Sequence, residues 1–361
     1  MITLSVDFLP SRALKQLMRL QLLQRQPTRR DTEVPLVFRE RCLLSGYRIP
    51  NKSWRYYAGS FFQVHNESGN IWSHFLAFII FVYKVYELCS TFDVYTDPLS
   101  WPVLAFSMVI ILYASFSTFA HLFQSKSPLI HYTCFQIDYI GIGLNAFGTG
   151  CLFYYLTGSQ PYYDVVGPTL FMTLNALLAV ADCMTCSIAK LWYIRPYPPQ
   201  RRLWQLGSVG FHVLFGGVPL LCHFKSCLLD DPECDLYYIL PHLHTFFWFF
   251  LSVYFFSSAI PERLAPGRFD YVGHGHQLFH TLMIVTSLLQ IRVAILELGR
   301  RPRDLIEAAM PDPVVIFGSM AAVLILDALF IILTHWLRVA MVARDAIHEQ
   351  ESRMINGPKR E

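Results

Sequence analysis

Apolar runs of about 20 residues recur along this chain, which is the length an α-helix needs to cross roughly 30 Å of hydrocarbon. Short polar or charged stretches separate them. The pattern predicts eight helices, at about 71–87, 101–122, 134–156, 166–189, 206–224, 238–260, 274–298 and 314–337. It therefore predicts one polytopic all-α membrane domain over residues 61–340, an amino-terminal region 1–60 and a polar tail 341–361. Within the amino-terminal region, Leu14, Leu17, Met18 and Leu22 fall at helical spacing between Arg12, Lys15, Arg19 and Arg25. That pattern suits a basic amphipathic helix lying on a bilayer surface, and a disordered basic tail is the alternative. No cleavable signal peptide is expected, because charges are mixed through the first 25 residues. The tail after Ala343 predicts a frayed helix.

Composition agrees with the pattern. Of 361 residues, 54% are hydrophobic and 15% charged, where a soluble chain would carry about 25% charge. The lipid bilayer is the expected partner, and a net charge of +3 gives no reason to expect nucleic acid. Charge also sets orientation. With eight crossings, the side that holds both termini carries 23 of the 29 Lys and Arg. The positive-inside rule places that side in the cytoplasm, which predicts that the sequons at Asn51 and Asn66 stay unglycosylated. One loop runs against the rule, since Arg300, Arg301 and Arg303 precede the last segment on the opposite side. The nine cysteines are scattered and predict no disulfide scaffold. Cys183 and Cys186 sit within an apolar run, where cysteine packs as a small hydrophobe, and Cys227 with Cys234 form a plausible bridge on the outer side.

The chemistry-bearing residues lie at the ends of the apolar runs. His121 closes the second run, Asp138 opens the third, and His276 and His280 open the seventh. Two histidines four apart share one face of a helix, so both imidazoles can reach one metal ion. A third from another helix completes a three-nitrogen set with one position open, the ligand count of a catalytic zinc site. Alternating topology puts all four residues at one leaflet. Gln277 stands where an H-E-x-x-H metalloprotease helix has glutamate, so a general base must come from elsewhere. Asp138 is the candidate base. Ser117, one turn before His121, is placed to orient Asp138 or a substrate oxygen, and a bond back to its own helix is the plainer reading. His274 falls on another helical face, exposed or behind the metal ligands, while His242 and His244 read as interfacial. Asp182 and Asp327 are costly within apolar runs, and no partner for either can be identified in the sequence.

Three stretches together resemble the progestin and adipoQ receptor family. The first runs from Phe62 through His65, Asn66, Glu67, Asn70 and Trp72 to His74; the second is Ser117 and His121 followed by Asp138 and Tyr139. The third runs from Ile260 through Pro261, Glu262, Arg263, Pro266, Gly267 and Phe269 to Asp270, then His276 and His280. The stretch from Leu44 to Arg48 and an eighth apolar run are similar to its membrane progestin receptor branch. Ser73 stands where the family has threonine. The resemblance implies a seven-helix bundle of the adiponectin-receptor type with an eighth, carboxy-terminal membrane helix. It implies Zn2+ held by His121, His276 and His280, with Asp138 and Ser117 beside it. It further implies a plasma-membrane (or endomembrane) receptor for a progestin-type steroid, signalling at the cytoplasmic face through G proteins. The alternative it implies is a zinc-dependent lipid amidohydrolase of the ceramidase kind, with a sphingolipid as substrate.

Overall fold

The computed structural model describes residues 27–230, 236–300 and 308–356. The expected amphipathic helix at residues 11–25, Cys234, Arg301 and Arg303 lie outside the described residues. Helix α1 is a short one, Trp54–Ser60. The long helices are α2 (Ser68–Thr91), α3 (Trp101–Phe123), α4 (Pro128–Thr157), α5 (Pro168–Trp192), α6 (Pro199–Asp230), α7 (Leu236–Ser258), α8 (Gly275–Arg300), α9 (Pro313–Leu333) and α10 (His335–Asn356). Among the described residues the only extended pairing is one bridge between Arg29 and Tyr47. Each expected apolar segment is helical along most or all of its length, so the architecture is the expected all-α bundle.

Seven helices, α2, α3 and α5 to α9, are long and apolar enough to cross a membrane. The carboxy-terminal α9 is the most apolar of them. Helix α4 is longer than needed at 30 residues, yet it is not among the seven. It carries His131, Gln136, Asp138 and Asn145, all buried. The reason is its position: α3, α5 and α6 pack around it, with α8, α9 and α10 touching it as well. A helix wrapped in protein need not be apolar all round, and polar groups at membrane depth belong on such a surface. Its glycines allow the neighbours close. A Cβ at Gly143 would lie 2.4 Å from the Ala179 carbonyl oxygen of α5, and one at Gly150 would lie 2.6 Å from Asn175 Oδ1. Small residues serve helix contacts in membranes because packing replaces the missing hydrophobic drive.

The tail differs from the expectation of a frayed helix. Helix α10 begins at His335 and docks on the bundle end: Tyr132 donates to Asp345, and Arg344 donates to the Leu191 and Trp192 carbonyls at 2.9 and 3.0 Å. Those carbonyls end α5, so α10 supplies the cation that a helix carboxy-terminus favours.

Candidate metal centre

His121 lies on the last turn of α3, and His276 and His280 lie on the first turns of α8. Contacts from distant parts of the chain fix both helix ends. Arg48, buried in the loop before α1, donates to the His121 carbonyl at 2.7 Å and to the Leu122 carbonyl at 2.5 Å, capping α3. Glu262 accepts the Gly275 amide at 2.6 Å and caps α8 with a negative charge where the helix dipole favours one. Asp270 accepts from the Leu44 amide and the Ser45 hydroxyl, tying the loop before α8 to the amino-terminal segment.

One nitrogen from each of His121, His276 and His280 falls within 4.8 Å of the others. His121 Nε2 and His276 Nε2 are 3.4 Å apart. Tetrahedral zinc with Zn–N distances of about 2.0–2.1 Å would separate its ligand nitrogens by roughly 3.3–3.4 Å, so the pair already has that spacing. The set could therefore hold a metal ion. His121 and His280 are buried and His276 is half-buried. A carboxylate orients His121: Glu67 Oε2 lies 2.7 Å from His121 Nδ1, directing Nε2 toward the other two rings. Glu67 is itself held by Asn70 at 2.7 Å and Gln124 at 3.0 Å, and Gln124 bonds His131 at 2.6 Å.

Asp138 is buried and lines the same chamber as the three histidines, without joining their nitrogen cluster. Ser117 lines the same chamber close to Asp138. Ser107, Ser115 and Thr118 of α3 bond back to their own helix carbonyls, and Ser117 is free of that bond. All five expected site residues thus meet in one chamber. Gln277 faces away from it, accepting the Gly273 amide at 2.7 Å and donating to the Tyr271 carbonyl at 3.0 Å.

Other expected residues fall as follows. His274, expected to be exposed or behind the metal ligands, is buried and bonds the Asn66 carbonyl at 3.3 Å; burial holds its imidazole below the usual histidine range. His242 is buried with Glu297 at 3.2 Å, whereas His244 is exposed and accepts from Trp248 at 2.9 Å. Asp182 has partners that the sequence concealed: His212 at 2.7 Å and Ser208 at 2.5 Å. Asp327 is fully buried and neither carboxyl oxygen has a hydrogen bond. Cys183 and Cys186 are buried free thiols, as packing residues should be. His74 escaped the sequence reading as a site residue. Its ring centroid lies 4.0 Å from that of His280, and both its nitrogens are buried without partners.

A second cavity, mostly apolar, adjoins this chamber through Ile142 and runs between α4, α7 and α8 past Leu152, Phe153, Phe246, Phe249 and Met283. Asn145 projects into it with an Nδ2 that has no hydrogen-bond partner.

A bundle with its histidines and carboxylates at these places can be compared with known proteins. The haemolysin-III-related family profile matches residues 62–291, which spans all three sequence stretches. Membrane progestin receptor alpha-B of Danio rerio is 34% identical over 274 residues, covering 75% of this chain and 77% of its own. Membrane progestin receptor beta of Sus scrofa is 34% identical over 301 residues, 82% of this chain and 83% of its own. The human beta receptor is 33% identical over 306 residues, 82% and 83%. The chain belongs to the progestin and adipoQ receptor family. It is a multi-pass membrane protein, and the membrane progestin receptors are its relatives along most of its length.

Proposed function

We propose that this chain is a plasma-membrane receptor for progestin-type steroids that signals at its cytoplasmic face through G proteins. The observation that carries the reading is the apolar cavity with the unpaired amide of Asn145. A flat, uncharged steroid with a ketone needs such a cavity: apolar walls for its rings and one donor for its oxygen. An unpaired donor buried in apolar surroundings costs free energy, and a ligand acceptor removes that cost. The names of the relatives supply the steroid class. The three histidines hold zinc in this reading, and the ion ties α3 to α8 beside the cavity.

The chemistry of the chamber favours a second reading, a zinc-dependent amidohydrolase acting on a ceramide-like lipid. Zinc would supply Lewis-acid polarisation of the amide carbonyl. Asp138 accepts a proton from the attacking water, and Ser117 orients the Asp138 carboxylate. Neither residue is needed to bind a steroid in the adjoining cavity. The test compares Ser117→Ala and Asp138→Asn with the wild type for progestin binding, signalling and fatty-acid release from ceramide. The receptor reading expects affinity within a few-fold of wild type and signalling retained. Loss of signalling in both variants with steroid binding intact makes a hydrolytic product the messenger and overturns it.

A further inference from the structure

A rim of cations borders the histidine chamber, and neither the proposed metal nor the proposed steroid accounts for its charge. Tyr197 is the centre of that rim. The Lys190 ammonium lies 5.3 Å from its ring centroid, and the guanidinium carbons of Arg195 and Arg201 lie 4.6 and 4.1 Å away. Three cations thus surround one aromatic ring, and a single carboxylate answers them: Glu40, 2.6 Å from Arg195.

The other two are uncompensated. Lys190 is 2% exposed and lines the chamber. Among the described residues its contacts of specific geometry are ring faces, Phe135 at 4.0 Å and Tyr197. Arg201 has one hydrogen bond, to the Tyr139 hydroxyl at 3.3 Å, and a buried Nε with none. Arg202 beside it donates to the Ser257 carbonyl. Among the described residues no carboxylate comes within 4.0 Å of Lys190, Arg201 or Arg202. The chamber's other carboxylates point their hydrogen bonds elsewhere, Glu67 to His121 and Glu262 to the Gly275 amide. Ring faces offset only part of what it costs to bury a cation without a counter-charge.

We propose that this rim is a binding site for a phosphate monoester group, with Lys190 and Arg201 as its main ligands and Arg202 flanking. Lys190 and Arg201, with Arg202 beside them, match a group that carries about −1.5 to −2 at neutral pH. The arginine fork suits its oxygens in pairs, while lysine adds a point charge. The site stands apart from the steroid reading, because an uncharged progestin cannot answer these cations. A phosphorylated lipid and a soluble phosphate ester present the same group, and the experiment separates them.

Full-length protein in phosphatidylcholine nanodiscs is titrated with lysophosphatidic acid, with a monoacylglycerol of the same chain, and with inorganic phosphate as competitor. Lysophosphatidic acid should bind saturably and monoacylglycerol at least about tenfold more weakly, the loss expected when charge-assisted hydrogen bonds are absent. Lys190→Gln and Arg201→Gln should each cost about tenfold on the same reasoning, and Lys190→Arg should restore binding. Metal content, measured on the same samples, should be unchanged in all three variants, which separates loss of the rim from loss of the fold or of the histidine centre. Competition by millimolar phosphate supports the site and identifies a soluble ester as sufficient. Saturable lipid binding without such competition supports it with a lipid ligand. Equal affinity for lysophosphatidic acid and monoacylglycerol, or unaltered affinity in both glutamine variants, overturns it.

Discussion

Asn145→Leu separates the energetics of the free protein from those of the complex. Asn145 is 8% exposed, sits on the central helix α4, and presents an Nδ2 without a partner to the apolar cavity. Leucine keeps the branched heavy-atom skeleton and is somewhat larger, and the cavity beside Asn145 takes the extra bulk, so the change creates no void and α4 keeps its contacts. An unsatisfied buried donor costs about 1–3 kcal/mol, and exchange for an apolar group of the same shape removes that cost. The ligand-free variant should therefore be more stable than the wild type by about that amount, less whatever transient water already satisfies the amide. Progestin binding should move the opposite way. A neutral hydrogen bond is worth about 0.5–1.5 kcal/mol net, so affinity should fall roughly twofold to tenfold. Thermal unfolding in nanodiscs with and without saturating progesterone reads both quantities in one experiment. The wild type should gain more from steroid than the variant, while the variant starts higher. A variant that is destabilised and binds progesterone as well as the wild type refutes the assignment of Asn145 as the ketone donor.

Further expectations concern the metal, its support and the orientation of the chain. His276→Ala with His280→Ala should abolish zinc, about one ion per chain in the wild type by analogy with three-ligand sites, while His274→Ala retains it; full zinc in the double variant contradicts the ligand set. Glu67→Gln should weaken zinc binding about tenfold to a hundredfold, the usual effect of removing a carboxylate behind a histidine ligand, with Asn70 and Gln124 still in place; chelator titration followed by elemental analysis measures it. Asp138→Asn should keep zinc, because Asp138 stands outside the nitrogen cluster, and should lose any ceramide hydrolysis; a parallel loss of zinc makes it a ligand instead. A glycosylation acceptor inserted near Asp230 should be modified in cells, whereas Asn51 and Asn66 should not; glycans at either native sequon place the histidine chamber at the outer leaflet.

The sequence revealed what repeats or clusters along the chain. Apolar length located the helices, and the four-residue spacing of His276 and His280 identified one face of α8. Position at segment ends brought His121 and Asp138 to the same depth. Contacts between distant segments were illegible, because nothing local marks them. Glu67 stands 54 residues before His121, and Arg48 caps the helix carrying that histidine from 73 residues away. Asp182 appeared unpartnered because His212 is 30 residues later on the next helix. Helix α4 appeared as an ordinary apolar run, though its polar residues and glycines mark the helix that others surround. The docking of α10 depends on Arg344 and Asp345 meeting α5 and Tyr132, a contact its charge-rich sequence could not announce. The cation rim was also hidden, since Lys190, Arg195 and Arg201 read only as loop positives until Tyr197 gathered them.

The most direct test of the receptor reading is saturation binding of tritiated progesterone to the purified chain in phosphatidylcholine nanodiscs, with no other protein present. The reading predicts saturable binding at about one site per chain, one ligand in the apolar cavity between α4, α7 and α8, displaced by unlabelled progesterone and weakened in Asn145→Leu. Linear, non-displaceable uptake identical to that of empty nanodiscs would contradict it.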